Sequence, residues 1–224
     1  DGTTVAVALF NQGKSEARMT AGWAEVGLQP GEAAVRDLWA HADLGTFTNA
    51  FSAMVPSHGV VLVRIQGAAP TAPGAGTHFI SDLPWVIAAN GWGPVERDLS
   101  VGDAAAGSGR PLTLHGAVFT KGLGVHAEAR VQVFLGGRPA RFLATVGLDD
   151  EVKAPGSVTF EVWGDGDLLW ESGVVTRDTA NVKVDVEVKG CAMLTLVVTD
   201  AGDGKNNDHA DWAEARIVVG EEGN

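Results

Sequence analysis

Apolar residues alternate with small or polar ones along much of this chain, in short runs that end at Gly, Pro, Asn or Asp. Val5, Val7 and Leu9 alternate with Ala6 and Ala8 before Asn11-Gln12-Gly13 breaks the run. Met19, Ala21 and Trp23 alternate with Arg18, Thr20 and Gly22. A period of two puts successive side chains on opposite faces, so each run reads as a half-buried strand. Residues 34–39, 50–54 and 60–65 complete a first group of strands, with Pro30-Gly31 as a turn signal. No stretch carries a convincing helical period. Apolar runs such as Val60-Val61-Leu62-Val63 fall far short of the roughly twenty residues of a membrane helix.

Residues 68–77 are almost wholly Ala, Pro, Gly and Thr. Such a segment buries too little apolar surface to offset its ordering entropy, which predicts a linker and a domain boundary near Gly76. Beyond it the alternation resumes at 79–86, 112–114, 124–135, 140–147, 157–163, 168–172, 182–188, 193–199 and 213–219. Many short strands at near-regular spacing predict a β-sandwich of jelly-roll type. The expected organisation is all-β: a small antiparallel β-sandwich over 1–67, the linker, and a jelly roll over 78–220.

Composition narrows the chemistry. A formal charge of -12 over 224 residues, with Lys and Arg scattered, argues against nucleic acid, which selects basic patches. Cys191 is the only cysteine, which rules out a disulfide framework and a thiolate metal cluster; it reads as a small buried residue. Tyr is absent while Trp occurs seven times, so some of these rings have work beyond packing. Trp163 and Trp170 lie at core-like strand positions. Asp1-Gly2-Thr3 does not read as an export signal, so any such signal is expected upstream or already removed.

A glycosidase needs two carboxylates at a set separation. Asp149, Asp150 and Glu151 are consecutive, and strand neighbours point to opposite faces, so they suit a turn or a cation site better than a catalytic pair. Residues 200–211 crowd Asp200, Asp203, Asp208 and Asp211 with Asn206 and Asn207 into one loop. A calcium site and a solvated turn both fit that composition, although the spacing is not that of an EF-hand. His126 reads either as a core histidine or as a partner for a sugar hydroxyl. Trp92, between Gly91 and Gly93, reads either as a turn plug or as a ring stacked on a pyranose. No Gly-x-Ser-x-Gly elbow, phosphate loop or dinucleotide fingerprint is present.

Two resemblances follow. Residues 5–11 (Val-Ala-Val-Ala-Leu-Phe-Asn), 38–45 (Leu-Trp-Ala-His-Ala-Asp-Leu-Gly) and 55–64 (Val-Pro-Ser-His-Gly-Val-Val-Leu-Val-Arg) resemble the C-terminal β-domain of glycoside hydrolase family 27. That family holds α-galactosidases, α-N-acetylgalactosaminidases and some β-L-arabinopyranosidases, whose (β/α)8 barrel does the chemistry. The resemblance implies such a barrel as a partner and places the first strand of the β-domain ahead of Asp1. Residues 81–85 (Ser-Asp-Leu-Pro-Trp), 91–94 (Gly-Trp-Gly-Pro), 121–127 (Lys-Gly-Leu-Gly-Val-His-Ala), 146–151 (Val-Gly-Leu-Asp-Asp-Glu) and 208–214 (Asp-His-Ala-Asp-Trp-Ala-Glu) resemble the NPCBM module, carbohydrate-binding module family 51. Phe119 stands where that family usually has a tyrosine. This resemblance implies a secreted, non-catalytic accessory region that binds terminal galactose or a related sugar. It implies sugar contacts at Trp92, His126, Asn207 and Asp208, and a structural calcium at Asp149, Asp150, Asp211 and Glu214. The alternatives are a hydrolase, which the missing carboxylate pair argues against, and a purely structural spacer.

Overall fold

The computed structural model describes residues 2–29, 31–103, 105–138, 140–188 and 190–221. It divides into two compact units, one built from residues up to Thr71 together with Pro84–Ile87, the other from Ala72–Leu83 and from Ala88 onward.

In the first unit, β1 (Gly2–Phe10), β2 (Ala17–Gly22), β3 (Glu32–Asp37), β4 (Ala42–Thr48), β5 (Ala50–Val55) and β6 (Val60–Ala68) form two antiparallel layers. One is a four-stranded sheet in the order β1-β6-β3-β4, the other the pair β2-β5. The period of two decides what is buried. Leu9, Ala21, Val35, Phe51, Val55, Val63 and Ile65 point inward and pack around Trp23, whose indole N–H donates to the Gly31 carbonyl at 2.8 Å. The strand expected over 34–39 stops at Asp37, whose carboxylate accepts from the amides of Trp39 and Ala40, and Trp39 lies 67% exposed on the turn. β4 carries no apolar alternation because it is an edge strand, exposed almost throughout.

The second unit contains β7 (Gly76–Phe79), β8 (Ile87–Ala89), β9 (Glu96–Arg97), β10 (Leu112–Leu114), β11 (Ala117–Phe119), β12 (Gly122–His126), β13 (Ala129–Phe134), β14 (Ala140–Leu148), β15 (Ser157–Gly164), β16 (Asp167–Thr176), β17 (Val182–Glu187), β18 (Met193–Thr199) and β19 (His209–Val219). A six-stranded sheet runs β17-β14-β19-β12-β9, with β7 also paired to β19, and faces a five-stranded sheet ordered β16-β15-β18-β13-β8. Trp212 of β19 lies between them, edge-on to Phe142 of its own sheet and to Phe160 of the other, with centroids 5.9 and 5.1 Å apart. Such contacts add to the burial of a large ring.

Three expectations change here. The strand expected over 79–86 is β7 followed by a 3-10 turn, Ile80–Asp82, since Pro84 cannot donate to a ladder. The run 124–135 is two strands, β12 and β13, one in each sheet. The last strand starts at His209, not at 213, and therefore contains Asp211 and Glu214. In addition Trp163 is half-buried: Phe160 and Val162 are buried in the sandwich, and the Trp163 indole N–H donates to Glu161 at 2.7 Å.

Candidate functional site

Strand register assembles an acidic cluster on the outer face of the six-stranded sheet. Asp211 of β19 stands directly between Gly124 of β12 and Gly147 of β14. Opposed residues share a face, so both neighbours lack a side chain where the carboxylate lies. Residues 99–101 close over the same spot: a Cβ on Gly124 would lie 2.3 Å from the Leu99 carbonyl oxygen. The hairpin β10–β11 covers the face next to it, with Leu112 and Leu114 fully buried. Asp211 is thus 0% exposed, and neither of its oxygens makes a hydrogen bond of ordinary geometry. Burial, reinforced by the charges of Asp149 and Glu151, pushes its carboxyl well above the usual carboxylate range.

Asp149 follows β14 and is also buried; its oxygens accept from the amides of Thr113 at 2.9 Å and Glu151 at 2.7 Å. Glu151 accepts from Ser100 Oγ at 3.1 Å and lies 2.8 Å from His209 Nδ1. Asp149, Glu151 and Asp211 therefore share one place. Asp150 points elsewhere, capping the β10–β11 turn through the amides of His115 and Gly116. Glu214 sits at a bulge in β19, half-exposed and paired with Arg216 at 3.2 Å. Among the described residues no three His, Cys, Asp or Glu side chains converge tightly enough to cage a metal alone. The donor set is nevertheless all oxygen, and a fully buried carboxylate without donors fits an oxygen-preferring cation that draws its remaining ligands from main-chain carbonyls.

Beside this cluster a cavity of about 320 Å³ opens between Trp92, Val101, Arg110, Glu151, Val152 and His209. Trp92 is 56% exposed. Its loop is pinned to the end of β12: Asn90 accepts from the His126 amide at 2.7 Å and donates to the carbonyls of Trp92 and Pro94. The Gly91 amide donates to the His126 carbonyl at 3.0 Å. His126 itself is buried behind His209, ring centroids 5.2 Å apart, and burial lowers its pKa, so it stands as a neutral imidazole near pH 7. Its Nδ1 lies 2.7 Å from the Ala127 carbonyl, which holds the proton on that nitrogen.

Residues 76–218 match the model of the NPCBM/NEW2 domain. The chain belongs to that family. Residues 1–65 match the alpha galactosidase C-terminal beta sandwich domain. A Renibacterium salmoninarum protein named for endo-alpha-N-acetylgalactosaminidase activity is 37% identical over 141 residues, 62% of this chain and 9% of that protein. An alpha-galactosidase of Coffea arabica is 49% identical over 59 residues, 25% of this chain and 15% of that protein. The CBM51 domain of Clostridium perfringens GH95, solved with methyl-galactose, aligns at a TM-score of 0.57 and 31% identity over 63% of this chain and 99% of that one. The chain spans only a small part of these curated relatives. Its two matched regions are a carbohydrate-binding NPCBM module and a glycosidase β-domain, neither of them a catalytic barrel.

Within the NPCBM module, Trp92 and His126 lie at one strand end, although His209 rather than His126 lines the cavity. Asn207 and Asp208 serve a different place. Asn207 donates to the Pro155 carbonyl at 3.0 Å, and Asp208, 0% exposed, accepts from the Ser157 amide at 3.1 Å while its Oδ2 has no partner. Residues the sequence reading missed are Arg110 and His209, while Glu151 was singled out there only for a turn or a cation site. For His209 a signal existed: once β19 begins at 209, alternation puts it on the face of Asp211.

Burial, opposed by the Ser157 amide and reinforced by Asp203 and Asp200, raises the Asp208 carboxyl to about 6. A raised carboxyl pKa means the folded state holds its proton more tightly. The resulting stability is full below about pH 4 and is lost as pH rises to about 6. Asp208→Asn keeps an acceptor for Ser157 and removes the charge. In chelator it should flatten this part of the pH profile and add about 1–3 kcal/mol at pH 7.5, read from urea midpoints at pH 4 and 7.5. An unchanged profile would show that Asp208 ionises freely.

Proposed function

We propose that this chain is the sugar-anchoring region of an exported glycoside hydrolase and that the cavity beside Trp92 takes a terminal galactose-type residue. The observation that carries this is the exposed Trp92 ring at the mouth of a cavity walled by Arg110, Glu151 and His209. A pyranose offers an apolar C–H face, which suits an indole, and a rim of hydroxyls, which suits fixed charged donors and acceptors. Galactose is supported by the methyl-galactose held in the 31% identical domain and by the α-galactosidase character of the first unit. The same first unit supports a (β/α)8 barrel as the partner in the longer protein.

Calcium belongs to this reading as a structural ion at Asp211, with Asp149 and Glu151 as neighbouring carboxylates and main-chain carbonyls completing its shell. It would neutralise the buried carboxylates and stiffen the loop that presents Glu151 to the cavity.

Calorimetric titration with galactose, N-acetylgalactosamine and L-arabinose tests the proposal. One of them should bind at millimolar or tighter affinity, and Trp92→Ala should weaken it about tenfold or more without lowering the melting temperature. No heat from any sugar on folded protein would leave the spacer role instead.

A further inference from the structure

A second, larger cavity of about 500 Å³ lies across the loop that bounds the first one. Glu151 and Val152 line the smaller cavity, while Lys153 and Pro155 line the larger, so residues 151–155 form a ridge between them. Three residues of extended chain span at most about 10 Å, which keeps the two cavities within reach of one short oligosaccharide. Both volumes lie within or near the ~300–1,000 Å³ of small-ligand sites.

The walls of the larger cavity carry donors and acceptors, with Pro155 as apolar surface among them. Lys153 donates to the Asp150 carbonyl, and Arg177 donates to the carbonyls of Val152 and Lys153, the latter at 2.8 Å. Neither cation is paired with a carboxylate among the described residues, and each retains further N–H groups. Ser157 and Asp203 are bonded to each other at 2.8 Å, Asn206 is exposed, and Pro155 supplies apolar surface. Sugar hydroxyls donate and accept at once, and this mixed set meets both needs. A sulfate or phosphate would face Asp178 and Asp203, so a neutral ring is the better fit.

We infer that this cavity is a second saccharide subsite, taking a neutral sugar ring of the same glycan whose terminal residue lies beside Trp92. The inference rests on the sugar-binding reading of the first cavity. It makes the module a reader of a glycan branch and not of a terminal residue alone.

The test compares methyl-α-galactoside with galactose-terminated trisaccharides of α-1,3, α-1,4 and α-1,6 linkage, titrated into the full chain in millimolar calcium. At least one trisaccharide should bind roughly tenfold more tightly than the monosaccharide, because the second contact becomes intramolecular. The Lys153→Ala/Arg177→Ala variant should abolish that advantage, with trisaccharide affinity falling about tenfold more than methyl-galactoside affinity. Asn206→Ala, which holds no part of the ridge, should reduce it in the same direction. Methyl-galactoside binding with no gain for any trisaccharide overturns the second subsite and leaves the first. A gain that survives all these variants also overturns it, as does an equal loss for monosaccharide and trisaccharide. No binding of any probe overturns both readings. A trisaccharide that binds through Arg177 while methyl-galactoside does not bind overturns the terminal-residue reading and the paired-subsite inference with it.

Discussion

Calcium is expected to raise the melting temperature of this chain by roughly 5–15 °C over its value in chelator. Asp211 is fully buried with no hydrogen bond of ordinary geometry to either oxygen, and it faces Asp149 and Glu151. A buried ionised carboxylate without a partner costs several kcal/mol, and its carboxylate neighbours add to that cost. A divalent cation at Asp211 offsets that cost and screens the two neighbouring carboxylates. At 100 to 1,000 times its dissociation constant it stabilises the folded state by about 2.7–4 kcal/mol, which at 2–4 °C per kcal/mol gives the stated range. Asp211→Asn separates this account from a generic salt effect. In chelator the variant should melt at or above the wild-type temperature, because it removes the central charge. With calcium it should gain almost nothing. Equal melting temperatures of the wild type in calcium and in chelator would sink the metal assignment.

The same cluster shows where the sequence was legible and where it was not. The inward positions of the first unit follow from alternation alone, and Val5, Val7 and Leu9 face the core as that alternation requires. The acidic run 149–151 was visible too, and so was the rule that neighbours on a strand diverge. What the sequence lacked was the register. Asp149, Glu151, His209 and Asp211 share a face because β19 begins at 209 and sets Asp211 against Gly124 and Gly147. Apolarity marked β19 only from Ala213 onward, because His209 and Asp211 among its first four residues face a polar site while Ala210 and Trp212 face the core. Asp150 and Asp208 fall on the other parity, and the bulge at Glu214 takes that residue out of step. The exposed edge strand β4 was missed for the related reason that a strand with little to bury carries little pattern. Gly124 and Gly147 were the unused clue: glycines within apolar strands mark close approach by other groups.

Gly91→Ala is expected to abolish sugar binding and to lower the melting temperature by several degrees. A Cβ at this position would lie 2.0 Å from the Ala127 carbonyl oxygen, 2.5 Å from its carbon and 2.6 Å from the Glu128 nitrogen. These are main-chain atoms at the end of β12 and cannot step aside like the tip of a flexible side chain. The loop must therefore lift, which breaks the hydrogen bond from the Gly91 amide to the His126 carbonyl and the one that Asn90 accepts from the His126 amide, both of which set Trp92 over the cavity. Forcing a methyl group into a packed site costs about 1–3 kcal/mol, and the loss of aromatic alignment should weaken sugar binding by more than tenfold. The contrast with Trp92→Ala is informative. The half-exposed ring contributes to binding and little to folding, so its removal should cost affinity alone. Gly74→Ala, with open space around it, should change neither quantity. Wild-type sugar affinity in Gly91→Ala would mean that the contact between this loop and β12 does not position the indole, and the cavity beside Trp92 would lose its claim to be a preformed site.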